Sequence, residues 1–215
     1  MSVNLATRIP LATTSLIAIN IIIFGLGLLS GSQLQIIHGY GFIPYNLVHI
    51  NNNNLALSDV LTRLFTSMFI HVSIAHLAFN MLALGYLGGY AERSVGITRY
   101  ILIYTLSGIV GALFHSFIAS YILGSGHVLL IGASGAISGV LGIAAAGGNT
   151  RAYYWLLFQI VFAIFGSFAA IPIAFTAHIG GFIAGVILTK LFVGIERKKR
   201  TKYLKPSENN NYDRW

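Results

Sequence analysis

The chain is organised as long apolar stretches separated by short polar segments. Each stretch is close to the roughly 20 residues that an α-helix needs to cross a hydrocarbon core about 30 Å thick. The pattern therefore predicts an all-α, polytopic membrane protein with six transmembrane helices. The predicted spans cover Ile9–Leu29, Ile74–Tyr90, Tyr100–Leu123, His127–Ala146, Tyr153–Ala170 and Ile173–Val193.

One connection is much longer than the others. Residues 30–72 join the first two stretches and include Pro44 and the polar run Asn51–Asn54, yet they also carry many apolar side chains. We expect a loop with short helices that lies partly in the membrane interface. The segment Glu196–Trp215 is basic and then polar, which is typical of a disordered tail. The sequence thus predicts a six-helix domain at 1–195 and a cytoplasmic tail at 196–215.

Composition excludes a soluble globular protein. Of the 215 residues, 56% are hydrophobic and only 8% are charged, with a mean hydropathy of +0.78. Soluble domains carry about 25% charged residues, so this chain lacks the polar surface that they need. There is no cysteine, which excludes disulfides, thiolate nucleophiles and cysteine-ligated metals.

Basic residues are concentrated on one side of the predicted bundle. With six spans, twelve of the 13 Lys and Arg residues fall at inner helix ends or in the tail, and Arg63 is the exception. By the positive-inside rule that side is cytoplasmic, so both termini are expected there. We therefore attribute the net charge of +8 to topology. No basic face with base-reading groups is visible, so a nucleic-acid partner is not predicted.

Four polar residues fall at one depth within the predicted spans. They are His76 and Asn80 in the second span, Ser134 in the fourth and His178 in the sixth. Counted from the first charged residue at each inner end, they stand at heights of roughly 18–26 Å, in the outer half of the core. Polar groups at this depth are costly and are functional candidates. His76 and Asn80 share one helix face, from which both could donate hydrogen bonds to an oxyanion.

Ser134 lies in the segment Gly132-Ala133-Ser134-Gly135, where two glycines permit an unusual backbone turn. A helix that begins near Ser134 is too short to cross the bilayer and starts inside it. Its free N–H groups and positive end would stabilise an oxyanion. Small residues also let helices pack closely, so this segment alone leaves both interpretations open.

His178 is followed by Gly181 and Gly185, whose spacing predicts close packing against the glycine-rich fourth span. Such packing would bring His178 near Ser134. An imidazole near a serine hydroxyl is a suitable general base at neutral pH. A histidine that is only hydrogen-bonded within the bundle is the alternative.

Acidic residues are scarce and peripheral. All five are predicted in loops, at helix ends or in the tail: Asp59, Glu92, Glu196, Glu208 and Asp213. A Ser-His-Asp triad therefore has no evident third member, and a hydrolase would rely on a Ser-His dyad. Metal binding by His71, His76 and His178 is disfavoured, because no carboxylate is predicted in a span and no HExxH pattern occurs. No cofactor is predicted.

Three motifs together resemble the rhomboid family of intramembrane serine proteases. They are HVSIAHLAFN at 71–80, GASG at 132–135 and AHIGGFIAG at 177–185, in this order on the second, fourth and sixth spans. The resemblance covers about residues 61–185. It implies Ser134 as the nucleophile and His178 as the general base. It also implies His76, Asn80 and the Ser134 backbone N–H as the oxyanion site.

The resemblance also implies supporting residues. Arg63 begins a segment, RLFT, that resembles the end of the family's long first loop, where a Trp-Arg pair is typical; Thr62 stands at the Trp position. Many bacterial members carry a Tyr four residues after the nucleophile, where this chain has Ser138. The supporting set is His71, Gly132, Gly135, Gly181, Gly185 and Arg63.

The implied function is cleavage of single-span transmembrane proteins by a multi-pass protein of the prokaryotic cell membrane, with its active site open to the outer side. The lateral entry route is expected between the second and fifth helices, with the loop Phe168–Phe175 as a cap.

A non-catalytic rhomboid-like protein that binds transmembrane helices is the alternative, although that class typically lacks the Ser or the His. A transporter or channel is disfavoured because the polar groups stop in the outer half. The oligomeric state is not predicted.

Overall fold

The computed structural model of the chain describes residues 9–50, 56–168 and 174–204. These residues are helical apart from their connections and one isolated bridge between Phe42 and Leu130, so the predicted all-α class is confirmed. A 3₁₀ turn at Ser67–Phe69 follows the fourth helix. The α-helices are α1 (Leu11–Leu29), α2 (Gln33–Tyr40), α3 (Pro44–Val48), α4 (Leu57–Thr66), α5 (Ile74–Val95), α6 (Ile97–Tyr121), α7 (Ser134–Ala146), α8 (Arg151–Phe168) and α9 (Phe175–Leu204).

Several helices have the length and apolar composition of membrane spans. Within the described residues these are α1, α6 and the Phe175–Val193 part of α9. The pair Leu57–Phe69 and Ile74–Val95 passes the same criteria together, with a bend of 79° between its two parts. The chain is therefore an integral membrane protein. α9 continues to Leu204, through residues 196–204 of the predicted tail, and residues 205–215 lie outside the described residues.

The long first connection contains short helices, as its mixed composition predicts. α4 is fastened to the end of α2 by two side chains that bond backbone carbonyls. Arg63 Nη1 donates to the His38 oxygen at 2.8 Å, and Thr66 Oγ1 donates to the Tyr40 oxygen at 2.7 Å. The last carbonyls of a helix have no partner within it, so these bonds stabilise the end of α2.

α7 is the centre of the bundle and packs against α5, α6 and α9. Its residues from Ala136 to Ala145 are buried. Contact with α9 is close because both helices present glycines. A Cβ on Gly181 would overlap the Gly135 carbonyl, and one on Gly185 would overlap the Gly139 carbonyl. This is the close packing that the spacing of small residues predicts.

Glu92 differs from its predicted place. The sequence puts this residue beyond the second apolar stretch, but α5 continues to Val95 and Glu92 is buried inside it, with 4% of its surface exposed. Its carboxylate accepts hydrogen bonds from the backbone N–H of Ala12 at 3.1 Å and of Thr13 at 2.8 Å, and from Thr13 Oγ1 at 2.8 Å. α1 begins at Leu11, so Glu92 satisfies N–H groups that have no partner within that helix.

Candidate active site

Ser134 is the first residue of α7, so the predicted start of the helix near Ser134 is confirmed, whereas residues 127–133 of the predicted fourth span are not helical. The turn before it depends on Gly132, which has φ +112°, a conformation that residues with a Cβ rarely adopt. The Gly132 N–H donates to the Ser67 carbonyl at 2.9 Å. The 3₁₀ turn after α4 therefore fixes the backbone that presents Ser134, which is itself half-buried.

His178 meets Ser134 across the contact between α7 and α9. Its Nε2 lies 2.7 Å from Ser134 Oγ, which is hydrogen-bond distance. His178 is the fourth residue of α9, and the glycine-mediated approach of the two helices begins one turn further on, at Gly181. Within the described residues, His178 Nδ1 is buried without a hydrogen-bond partner. The two side chains that the sequence predicts to lie close together are thus in contact.

His76 and Asn80 reach the same place from α5. Ser73 caps this helix, because its Oγ accepts the His76 backbone N–H at 3.2 Å. The His76 ring lies against Gly132, where a Cβ would be only 2.7 Å from the ring atoms Nε2 and Cε1. Asn80 is buried, and its Nδ2 donates to the His76 carbonyl at 2.9 Å. The pair therefore stands beside the turn that precedes Ser134.

His71 and Arg63, the two members of the predicted supporting set that are not glycines, occupy different positions. The His71 ring packs edge-on against the His76 ring, with centroids 4.9 Å apart, and is 1% exposed. The His71 carbonyl accepts a hydrogen bond from Gln33 Nε2 of α2 at 2.8 Å. Arg63 instead donates to the His38 carbonyl near the end of α2. His71 thus belongs to the wall of the site, whereas Arg63 organises the long connection.

Some residues that shape the site were not predicted from the sequence. Ser67 acts through its backbone carbonyl, so its side chain gives no signal. Ser73 could have been found, because serine is a favoured cap immediately before a helix. A buried contact between His115 Nδ1 and Thr176 Oγ1, 2.6 Å long, also escaped prediction, because it joins residues 61 positions apart. Residues 169–173 of the predicted cap lie outside the described residues.

The assembled groups suit acyl transfer. A serine hydroxyl hydrogen-bonded to an imidazole can pass its proton to that ring as it attacks a carbonyl. The N-terminus of α7 carries N–H groups without partners in the helix, and His76 and Asn80 stand nearby as further donors. Among the described residues, no group of three His, Cys, Asp or Glu side chains is arranged to hold a metal ion.

Comparison with known proteins gives a consistent family match. The model of the Rhomboid domain matches residues 58–195. "Rhomboid protease GluP" of Bacillus subtilis is 36% identical over 140 residues, which cover 62% of this chain and 26% of that protein. "Putative rhomboid protease YdcA" of the same organism is 28% identical over 153 residues, covering 64% of this chain and 69% of the relative. "Rhomboid protease AarA" of Providencia stuartii is 29% identical over 190 residues, which cover 74% of this chain and 66% of that protein.

The matches differ in how much of each relative they include. The aligned part spans 26% of the length of the GluP protein. The three motifs at 71–80, 132–135 and 177–185 all fall within the matched residues 58–195.

Proposed function

Because this chain belongs to the rhomboid family, we propose that it is an intramembrane serine endopeptidase that cleaves single-span transmembrane proteins. The observation that carries the proposal is the 2.7 Å contact between Ser134 Oγ and His178 Nε2. The relatives named as rhomboid proteases support peptide-bond hydrolysis as the reaction.

In the proposed acylation step, Ser134 Oγ attacks the carbonyl carbon of the scissile peptide bond while its proton passes to His178 Nε2. The carbonyl π electrons move to oxygen and give a tetrahedral oxyanion. When this intermediate collapses, the C–N bond breaks and His178 returns the proton to the leaving amine. The acyl group remains on Ser134 as an ester.

In the deacylation step, a water molecule attacks this ester with His178 again as the base. The bond between the acyl carbon and Ser134 Oγ breaks, Oγ recovers its proton from the imidazole, and the second product leaves as a carboxylic acid. A dyad suffices for both steps, because the imidazole takes and returns a single proton in each.

The proposed oxyanion site consists of the Ser134 backbone N–H, His76 and Asn80. The Ser134 N–H belongs to the first turn of α7, where the helix dipole adds positive potential. One Asn80 Nδ2 proton is used by the His76 carbonyl, so the second proton is the one that we assign to the oxyanion. Such donors are most effective when they are fixed before the charge develops.

We further propose six transmembrane spans with both termini cytoplasmic and the site open to the outer side. The substrate would enter laterally between α5 and α8 and unwind at its end, because a helical peptide bond is hydrogen-bonded and shielded. The outward face of α5 supports this route. Phe79, Leu82 and Tyr86 are 76%, 70% and 85% exposed there, as expected of side chains that contact lipid or a transmembrane helix.

A non-catalytic protein that binds transmembrane helices is the competing function. It would need the same membrane fold and the same lateral opening, but it would not need a hydroxyl and an imidazole in contact at the start of a short helix. The Ser134–His178 hydrogen bond therefore favours the protease.

The test is cleavage of a fluorescent single-span reporter by protein reconstituted in liposomes. We expect Ser134→Ala and His178→Ala each to lower kcat by about 10³-fold or more. Ser116→Ala is the matched control, because Ser116 is fully buried in α6 and its hydroxyl donates to the Ala112 carbonyl of its own helix. A fluorophosphonate probe should label wild type and the control but not Ser134→Ala. Reporter cleavage that persists in Ser134→Ala would refute the proposal.

A further inference from the structure

A buried hydrogen bond joins α6 to the first turn of α9, outside the set of residues assigned to the reaction. His115 Nδ1 and Thr176 Oγ1 are 2.6 Å apart, and the two residues are 7% and 6% exposed. Polar groups buried in an apolar bundle cost free energy unless they are paired. Each of these side chains therefore depends on the other to remain buried.

Thr176 is placed where it can control the general base. It is the second residue of α9 and stands two positions before His178. The terminal turn of a helix is its least restrained part, because it lacks some of the backbone hydrogen bonds. A side-chain bond at this turn therefore limits how far the turn can fray or rotate.

Apart from the His178–Ser134 hydrogen bond itself, the close approaches of α9 to α6 and α7 through glycines are of another kind. Gly181 and Gly185 approach backbone carbonyls of α7, and a Cβ on Gly111 of α6 would lie 2.5 Å from the Ala177 carbonyl. Such contacts fix how near the helices are, but they impose little directional preference. A hydrogen bond is directional and so defines both the height and the rotation of the helix end.

We propose that His115 is a positioning residue that acts on His178 through Thr176. Their hydrogen bond holds the first turn of α9 in the rotation that sets the distance between His178 Nε2 and Ser134 Oγ. This inference rests on the proposed protease function. His115 transfers no proton in the reaction, so its loss should reduce turnover without abolishing it.

Thr176→Val is the most informative substitution, because it removes the hydroxyl and preserves the shape of the side chain. We expect kcat for the reporter to fall about tenfold with KM changed less than twofold, and the rate of fluorophosphonate labelling to fall in parallel. Thr176→Ser restores a hydroxyl and should recover most of the activity. The double variant His115→Ala, Thr176→Val should be no slower than His115→Ala alone, since both remove the same bond.

Thr189→Val is the matched control on the same helix. Thr189 is buried to a similar degree, but its hydroxyl donates to the Gly185 carbonyl of α9 itself. The Tm of each variant is measured first, and assays run below the onset of unfolding. If Thr176→Val unfolds at every usable temperature, the activities of His115→Asn and His115→Ala are compared instead. The asparagine amide can replace the ring nitrogen as the hydrogen-bond partner of Thr176, so His115→Asn should be the more active of the two.

The outcomes separate this inference from the proposed function. Wild-type protein that neither cleaves the reporter nor reacts with the probe contradicts the protease itself. Active wild type with equal rates in Thr176→Val and Thr189→Val overturns the positioning role alone. Independent effects of the two substitutions in the double variant would overturn it as well.

Discussion

At the scale of single residues, Gly132 links two parts of the site. Its φ of +112° turns the chain into α7, and its N–H is held by the Ser67 carbonyl. The absence of a side chain also lets the His76 ring lie against it. One residue thus shapes the turn that presents Ser134 and also makes room for the His76 ring of α5.

Gly132→Ala should therefore disturb the site far more than backbone strain alone would. The strain of a positive φ costs about 1–2 kcal/mol. The added Cβ would lie 2.7 Å from two His76 ring atoms, so either the ring or the turn must move. We expect the fluorophosphonate labelling rate to fall by roughly 10²-fold, as is typical when reacting groups are misplaced by about 1 Å.

Gly148→Ala is the control for backbone strain in that experiment. Gly148 has φ +91°, but nothing lies within 4 Å of the position that its Cβ would take. Labelling of this variant should stay close to wild type. Equal labelling rates in Gly132→Ala and Gly148→Ala would show that the contact with His76 has no functional weight.

Asn80 permits a sharp test of the oxyanion site. Removing one donor from an oxyanion site typically lowers kcat by about 10²–10³-fold. We therefore expect Asn80→Ala to lower kcat by an amount in that range, with little change in KM. Asn20 in α1 is the matched control, because it is also buried and its Nδ2 likewise donates to the carbonyl four residues earlier, that of Leu16. A similar loss of kcat in Asn20→Ala would indicate a general packing effect.

At the scale of elements, the start of α1 is capped by another helix. Its own N-cap residue, Pro10, makes no side-chain cap bond. Glu92 of α5 supplies the missing acceptors to Ala12 and Thr13, and a carboxylate at a helix N-terminus is also favoured by the helix dipole. α1 and α5 are thereby fixed to each other at one end.

Glu92→Gln should lower the free energy of unfolding by about 1–3 kcal/mol, because the charge-assisted bonds become neutral ones and one acceptor is lost. The measurement is thermal or denaturant unfolding in detergent. Thr13→Val should be destabilising in the same assay, and its effect should not add to that of Glu92→Gln. Thr14→Val is the control, because the exposed Thr14 hydroxyl bonds the Pro10 carbonyl. Additive effects of Glu92→Gln and Thr13→Val would show that Glu92 does not stabilise the start of α1 through Thr13.

A feature could be predicted from the sequence when a local motif or a repeated spacing of residues marked it. The start of α7 at Ser134 follows from neighbouring glycines, and the short helices of residues 30–72 follow from their mixed composition. The approach of His178 to Ser134 follows from small residues repeated along two helices. The Glu92 cap and the Ser67 carbonyl could not be predicted, because each joins segments that are distant in sequence and neither produces a periodic pattern.

At the scale of the whole molecule, one short helix is enclosed by longer ones. α7 has 13 residues and is buried for most of its length, whereas α1, α6 and part of α9 are long enough to cross a membrane. A helix that begins within the bilayer is tolerated when protein or a wet cavity surrounds its free backbone groups. The enclosure of α7 therefore allows a polar site below the membrane surface.

The proposed orientation predicts opposite exposure for the two ends of the segment that contains α7. The chain has no cysteine, so Ser125→Cys and Thr150→Cys each introduce a single reactive thiol. Ser125 precedes α7, and Thr150 follows it beside Arg151, whose charge favours the cytoplasmic side. In spheroplasts of an expression host, a membrane-impermeant maleimide should label Ser125→Cys and should leave Thr150→Cys unlabelled until the membrane is permeabilised.

Labelling of both variants in detergent is the control for thiol reactivity. Labelling of Thr150→Cys in intact spheroplasts would contradict the proposed topology and would place the open side of the Ser134–His178 site in the cytoplasm.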